Sequence, residues 1–348
     1  MSMKTHLETR ALFAGYNPAD NHGAVKPPIH PASTFVFPSA AIGAAHMETA
    51  YGVEGAETPP EGGFIYSRLG NPTLSVAETR LAAWDESEAA AVFSSGMSAI
   101  STTLFAWTGS ERALWYVGPL YGGTQHIVDD ILPSMGVDVR MLESLDDLEL
   151  MSEEDGLPGM IFLETPANPT LQVHSIKIAA DWAKARTSDD HRIVVAVDNT
   201  FLGPILQRPL ELGADLNIYS ATKYIGGHSD LVAGAVSGES EAMAKVFEYR
   251  TFLGGMADPH TSWMLARSME TLAIRVERQS RSARQVLDHL QKSPGIPVKG
   301  INKIFSAWAE DLAGSGDFKS AGIAQEQQVN GGGMFAMELP GGRKAAFA

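Results

Sequence analysis

The residues Arg192-Ile193-Val194-Val195-Ala196-Val197 constrain the fold more than any other stretch of the chain. A β-branched run without polar alternation forms a strand only where both faces are buried, as in parallel sheets covered by helices on each side. Comparable apolar runs stand at 89–93, 112–117, 160–164 and 216–219, and 138–142 reads as a further strand. Between them the spacing turns helical: at 74–84, where Leu74, Ala77, Leu81 and Trp84 share a face, then from Ser94 to Trp107, from the 118–124 turn to Leu132, and at 175–186. Strands alternating with helices predict an α/β fold with a mostly parallel central sheet and its ligand crevice at the strands' C-terminal edge.

The 348 residues suffice for a large domain and a smaller one. Residues 1–65 carry Pro18, Gly23, Pro27-Pro28, Pro31, Pro38 and a glycine- and proline-rich stretch at 52–63, and are expected either to be disordered or to form an arm around a neighbouring subunit. Residues 143–159 read as an acidic, loop-rich connection. From Ser240 the pattern is helical, and Met264, Leu265, Met269, Leu272, Val276, Val286 and Leu290 predict one long helix over 258–290 that bridges to a C-terminal α+β domain. The division expected is 1–70 as the arm, 71–274 as the large domain and 275–348 as the C-terminal domain.

A formal charge of −15 argues against nucleic acid and anionic membranes as partners. The absence of cysteine excludes disulfides, thiol nucleophiles and zinc-thiolate sites, and no metal site is expected. No apolar run approaches the roughly 20 residues of a membrane helix, so a cytoplasmic protein is expected.

The polar residues that close the apolar runs carry the chemistry. Lys223 follows the run 216–219 in Ser220-Ala221-Thr222-Lys223-Tyr224-Ile225-Gly226-Gly227-His228-Ser229-Asp230, with hydroxyls before it and a glycine pair after it. Ser220 and Thr222 can donate to a phosphate, and Gly226-Gly227 allow a tight turn beside a ligand. A lysine in a confined apolar site loses proton affinity, and its free amine can form a Schiff base with a carbonyl, the candidate being the aldehyde of pyridoxal 5′-phosphate (PLP). Asp198 closes the run 192–197, a costly place for an unpaired carboxylate; facing a pyridine nitrogen it would keep that nitrogen protonated. Ser95-Gly96-Met97 form a strand–glycine turn–helix start that points backbone N–H groups at a phosphate.

The lysine segment resembles the signature of the PLP-dependent trans-sulfuration enzymes of Cys/Met metabolism: cystathionine γ-synthase, cystathionine γ- and β-lyases and methionine γ-lyase. Tyr66-Ser67-Arg68, Ser94-Ser95-Gly96-Met97, Tyr121-Gly122-Gly123-Thr124, the 164–169 segment and Val197-Asp198-Asn199-Thr200 match in the same order. The resemblance implies fold type I, the aspartate aminotransferase-like fold of PLP-dependent transferases. It implies that Tyr121 stacks on the cofactor ring and takes part in proton transfer, that Asn168 bonds the phenolic oxygen, and that Tyr66 and Arg68 reach the phosphate in a neighbouring subunit of a homotetramer built as a dimer of dimers.

The implied substrate is a small amino acid, and the implied reaction is γ-elimination or γ-replacement through a Lys223 Schiff base. Methionine γ-lyase, cystathionine β-lyase and O-acetylhomoserine sulfhydrylase activities are the alternatives. Gly123 stands where γ-lyases often carry a cysteine, and Ile65 where cystathionine γ-lyases tend to carry a glutamate, so the two positions point in different directions. The family's carboxylate-binding arginine has no equivalent after Arg343, and 295–324 matches poorly, which leaves an incomplete C-terminal domain or a PLP-binding protein without catalysis as further readings. A nucleotide-binding α/β enzyme is disfavoured because no Gly-x-Gly-x-x-Gly follows a strand.

Overall fold

A computed structural model describes residues 6–50, 52, 53, 55, 56, 63–151, 156–292, 301 and 303–347. Parts of the 52–63 stretch, of the acidic connection 143–159 and of the 295–324 stretch lie outside the described residues. The chain runs through α1 (Leu7–Phe13), α2 (Ala40–Ala50), α3 (Pro72–Asp85), β1 (Ala89–Phe93), α4 (Gly96–Trp107), β2 (Ala113–Val117), α5 (Gly122–His126) and, after a π-helical turn, α6 (Leu132–Ser134). It continues through β3 (Val139–Leu142), β4 (Pro158–Glu164), α7 (Ile176–Arg186), β5 (Val194–Asp198), α8 (Gly203–Leu206), β6 (Leu216–Tyr219), β7 (Gly234–Gly238) and α9 (Ser240–Leu253). Then follow α10 (Pro259–Met269), α11 (Leu272–Lys292), β8 (Lys303–Ser306), α12 (Ala309–Gly314), α13 (Phe318–Gln327), β9 (Phe335–Glu338) and α14 (Gly342–Ala346).

The large sheet has the order β1-β7-β6-β5-β4-β2-β3. Pairings β2–β3, β2–β4, β4–β5 and β5–β6 are parallel, whereas β7 runs antiparallel to both β6 and β1. Two reversals restore the direction, so the C-terminal ends of β1, β4, β5 and β6 share one edge. Strand β7 was not expected, because Gly234-Ala-Val-Ser-Gly238 is short, glycine-bounded and weakly apolar. Its small residues fit between β1 and β6: a Cβ on Gly234 would fall 2.1 Å from the Ser95 carbonyl oxygen, and one on Gly238 2.3 Å from that of Asp215.

Period-2 alternation divides the strand side chains between two layers. On one face Phe93, Leu114, Phe162, Ala196 and Ile218 pack with residues of α4 and α9. On the other, Trp115, Ile161, Val195 and Val197 meet α7, and Val92 and Tyr219 meet α3, α10 and α11. Each fully buried large apolar side chain contributes roughly 1.5–3 kcal/mol, so the core is set by both layers together.

Two expectations are corrected. The span 258–290 is two helices, not one. Asp258 caps the first, its carboxylate accepting the N–H groups of His260 and Thr261. The break follows at Glu270 and Thr271 because the Ser268 carbonyl, which a continuous helix would pair with residue 272, accepts instead from Thr271 N–H at 3.3 Å and from the Arg275 guanidinium at 2.7 Å. Of the two readings for the N-terminal segment, disorder does not hold over its described residues, which also bond their own chain. Helix α1 packs on α3 and buries Ala11, Trp263 Nε1 donates to the Pro27 carbonyl at 3.0 Å, and Asn71 Nδ2 donates to that of His30 at 2.9 Å.

The C-terminal segments form the antiparallel β8–β9 pair with α12 and α13. Gln327, closing α13, docks them: its amide nitrogen donates to the carbonyl oxygens of His174 and Gln207 Oε1, and its oxygen accepts Ile176 N–H. No helix among the described residues is long and apolar enough to cross a membrane.

One buried ion pair staples α9 to α3 and β1. Arg250, 2% exposed, bonds Glu78 and the Val92 carbonyl, and the same Glu78 oxygen accepts Val92 N–H at 3.0 Å. Arg250→Met leaves that carboxylate unpaired and is expected to cost about 3–5 kcal/mol, whereas Arg250→Met combined with Glu78→Gln recovers part of it. Thermal unfolding midpoints of the single and double variants decide this; an equal drop in both contradicts it.

Candidate active site

The shared sheet edge opens into a cavity of about 360 Å³ lined by Ser95, Gly96, Met97, Tyr121, Asn168, Asp198, Ser220, Thr222 and Lys223, together with Glu164, Thr200 and the apolar walls Ile100, Pro166, Phe201 and Val232. Chain positions from 95 to 223 thus converge because β1, β4, β5 and β6 end together.

The floor is a pair of carboxylates. Glu164 and Asp198 are direct partners in the parallel β4–β5 register, each 5% exposed. Asp198 Oδ1 accepts Thr200 Oγ1–H at 2.5 Å and Thr200 N–H at 3.1 Å, and Thr200 Oγ1 in turn accepts Ser220 N–H at 2.8 Å. Glu164 accepts Tyr121 N–H at 2.6 Å on one oxygen and Asn168 N–H at 2.7 Å on the other. One side chain therefore holds the backbone of both residues expected to face the cofactor ring. Burial raises the proton affinity of both acids above the ordinary carboxylate range, and the neighbouring Asp198 charge raises that of Glu164 further. The pair titrates as a unit.

Lys223 stands in a tight turn. Its N–H donates to the Ser220 carbonyl at 3.0 Å, and its own carbonyl accepts Gly227 N–H at 2.7 Å. Gly227 has φ +70°, a left-handed conformation that glycine adopts without strain. The Lys223 side chain is exposed at the cavity wall, so the tight apolar confinement expected from the sequence is not supplied by this single chain. Thr222 also lines the cavity, but its hydroxyl donates to the Ala233 carbonyl at 3.1 Å and accepts Ala233 N–H at 3.0 Å. That proton is already used to fasten the lysine turn to the start of β7, so donation to a phosphate would require breaking this bond.

On the same cavity, Ser95 caps α4 by accepting Ser98 N–H at 3.0 Å, and Ser95, Gly96 and Met97 at this helix start are part of its lining. A Cβ on Gly96 would lie 2.8 Å from Ser220 Cβ and Oγ and 2.9 Å from its Cα. Only glycine lets the helix start approach the lysine segment this closely. A buried acid and a helix N-terminus with a serine hydroxyl on one cavity suit a group with a basic ring nitrogen and a phosphate, as PLP has.

Tyr66 and Arg68 do not line this cavity. Arg68 Nη1 donates to the Thr251 carbonyl at 2.8 Å, its guanidinium lies 5.6 Å from the Tyr66 ring centroid, and Tyr66 is 40% exposed. Glu164 and Thr200 were missed as site residues. The signal for Glu164 was the one that singled out Asp198, an acid closing an apolar strand; Thr200, two residues beyond Asp198, is legible only as a side chain that can fold back on it.

An α/β chain with these polar groups gathered at the C-terminal edge of a mostly parallel sheet has the architecture of fold type I PLP-dependent enzymes. The family model described as "Cys/Met metabolism PLP-dependent enzyme" matches residues 8–347, and the chain belongs to that family. It is 36% identical over 341 residues to an L-methionine gamma-lyase of Pseudomonas deceptionensis, covering 97% of this chain and 79% of the relative, and 33% identical to a cystathionine beta-lyase of Lactococcus lactis subsp. cremoris, covering 96% and 79%. The crystal structure of cystathionine gamma synthase from Xanthomonas oryzae pv. oryzae in complex with cystathionine superposes with a TM-score of 0.82 at 27% identity, covering 99% of this chain and 81% of that one. The cofactor is therefore pyridoxal 5′-phosphate, and the protein is a PLP-dependent carbon–sulfur lyase or transferase of the γ-synthase and γ-lyase type.

The carboxylate pair has a sign-defined consequence. Because Glu164 binds its proton more tightly folded than unfolded, the folded chain holds the extra proton above the ordinary value of 4.5, and the stability due to this group falls as pH rises through that window. Glu164→Gln removes this group's share of the titration and leaves that of Asp198, so between about pH 5 and about pH 8 the cofactor-free variant is expected to lose less of its unfolding midpoint than the cofactor-free parent chain. Parallel pH slopes for the two proteins would sink the assignment.

Proposed function

We propose that this enzyme catalyses γ-elimination or γ-replacement on a sulfur amino acid or an activated homoserine, with Lys223 as the cofactor-bearing residue and the base at the substrate Cα. The observation that carries the reading is the meeting of Lys223, Asp198 and the Ser95-Gly96 helix start around one cavity. When bound, PLP supplies an electron sink for charge that develops at the substrate Cα. The Asp198 carboxylate, buried and oriented by Thr200, holds the proton at the ring nitrogen. Tyr121 would cover the ring face, and Asn168, fixed through its N–H by Glu164, would donate to the phenolic oxygen. Lys223, whose side chain has no hydrogen-bond partner among the described residues, is free to swing between attachment and proton transfer.

Ser220, Thr222, Ser95 and the α4 N–H groups would hold the phosphate, Thr222 by turning its hydroxyl from Ala233, which in this chain it bonds to fasten the lysine turn. Tyr66 and Arg68, outside the chain's own cavity, complete the site of a neighbouring subunit in a homo-oligomer built as a dimer of dimers, since an arginine fork suits a phosphate dianion. We also infer that residues 71–274 act as the cofactor-binding domain, that 275–348 form a separate C-terminal domain, and that the enzyme works in the cytoplasm. A second reading, β-elimination from cystathionine, is favoured by the Lactococcus relative.

Product analysis separates these readings. The substrates are methionine, cystathionine and O-acetylhomoserine, each with and without an added thiol. Formation of 2-oxobutyrate with release of the γ substituent (a thiol from the first two, acetate from the third) marks γ-elimination. A new thioether formed with the added thiol marks γ-replacement, and pyruvate marks β-elimination; neither 2-oxo acid nor a new thioether from any of them contradicts an active enzyme. Lys223→Ala is expected to reduce turnover by at least about 10²–10⁴-fold, the usual contribution of a positioned general base, and turnover at the parent rate contradicts the role. Asp198→Ala is expected to cut the rate sharply while PLP still binds. An unchanged rate would show that the ring nitrogen does not depend on it.

A further inference from the structure

Arg275, in the first turn of α11, spends its guanidinium on backbone carbonyls. Nη1 donates to Tyr224 O at 2.8 Å, Nη2 to Ile225 O at 3.1 Å and to Ser268 O at 2.7 Å, and Nε to Thr271 Oγ1 at 3.1 Å. Tyr224 and Ile225 are the two residues after Lys223. A Cβ on Gly227 would fall 1.7 Å from Nη1, so the guanidinium fills the space that Gly227 leaves, and the positive φ of that glycine turns the chain around it.

Burial lowers the proton affinity of Arg275, and no carboxylate among the described residues offsets that cost. An arginine kept half-buried without an anionic partner is held by the carbonyls it gathers, each a charge-assisted acceptor. Meanwhile the Lys223 side chain has no hydrogen bond or ion pair among the described residues, so the hydrogen bonds that hold this residue are those of its backbone turn. That backbone is fixed upstream by Thr222 on Ala233 and downstream by Gly226 N–H on Ala221 O at 2.8 Å and Gly227 N–H on Lys223 O. The next carbonyls along the turn end on Arg275.

We propose that Arg275 is a positioning residue for Lys223: by clamping the Tyr224 and Ile225 carbonyls to α11 and to the end of α10, it sets where the lysine amine meets the cofactor. The proposal rests on Lys223 being the cofactor-bearing residue. It also explains the break between α10 and α11, since the Ser268 carbonyl is diverted to the same guanidinium.

The test uses the full-length chain, stripped of cofactor and titrated with PLP, with borohydride trapping of cofactor on Lys223 followed by peptide mapping. Arg275→Met is expected to weaken PLP binding and slow trapping about tenfold or more, the effect of losing at least one charge-assisted hydrogen bond, and to lower kcat with little change in KM. Arg275→Lys, which reaches one carbonyl where the fork reaches three, is expected to restore part of both and keeps the test valid if Arg275→Met does not fold. A guanidinium that merely fastened α11 would lower the unfolding midpoint of both variants and leave PLP affinity and trapping at the parent level; that result overturns the proposal. If the parent chain itself traps no cofactor on Lys223, the site assignment falls and the role of Arg275 with it, an outcome distinct from equal trapping in parent and variant.

Discussion

Parallel pairing of β4 with β5 in the register Glu164 to Asp198 puts two carboxylates side by side at the sheet edge, both largely buried. Like charges in that setting cannot both be carried without help, and the surroundings are arranged around the difficulty. Thr200 gives two hydrogen bonds to Asp198, and the backbone of Tyr121 and Asn168 gives two to Glu164. The donors that relieve the acids are the residues that face the ligand, so the electrostatic problem and the shape of the site have one solution. A cationic ring nitrogen beside Asp198 would complete it.

The lysine side of the cavity is built on different physics. Among the described residues no charge fixes Lys223; backbone hydrogen bonds hold its turn, Lys223 N–H donating to Ser220 and its carbonyl accepting from Gly227, while Thr222 bonds Ala233 before it and Arg275 bonds the Tyr224 and Ile225 carbonyls after it. This suits a side chain that must be attached at one moment and act as a base at the next. Rigidity is placed in the turn and freedom is left in the methylene stem. The two glycines that matter here do so by what they lack: Gly96 lets α4 touch Ser220, and Gly227 leaves room for the Arg275 fork.

Much of this was legible from residue order. The runs at 192–197 and 160–164 announce buried strands because nothing polar interrupts them, and an acid or lysine directly after such a run stands out because it would be costly there without a purpose. Ser95-Gly96 reads as a phosphate-facing helix start for the same local reason. Less legible were groups whose role depends on distant partners. Arg275 sits in an amphipathic helix of many arginines, and the bond that Thr222 makes to Ala233, eleven residues on, cannot be read from its own segment. Strand β7 carries too little apolar character to announce itself, and the long helix expected over 258–290 is broken by a carbonyl that Arg275 captures.

The sequence by itself determined the elements and the chemistry at their ends, because periodicity and the cost of a buried charge are local properties that each segment carries with it. Only the tertiary structure decided which of those ends meet, that Glu164 and not just Asp198 belongs to the site, that Tyr66 and Arg68 stay outside the chain's own cavity, and that Arg275 faces the lysine turn. Those outcomes depend on strand order, register and the direction of β7, which arise from burying two sheet faces at once and are written in no single segment.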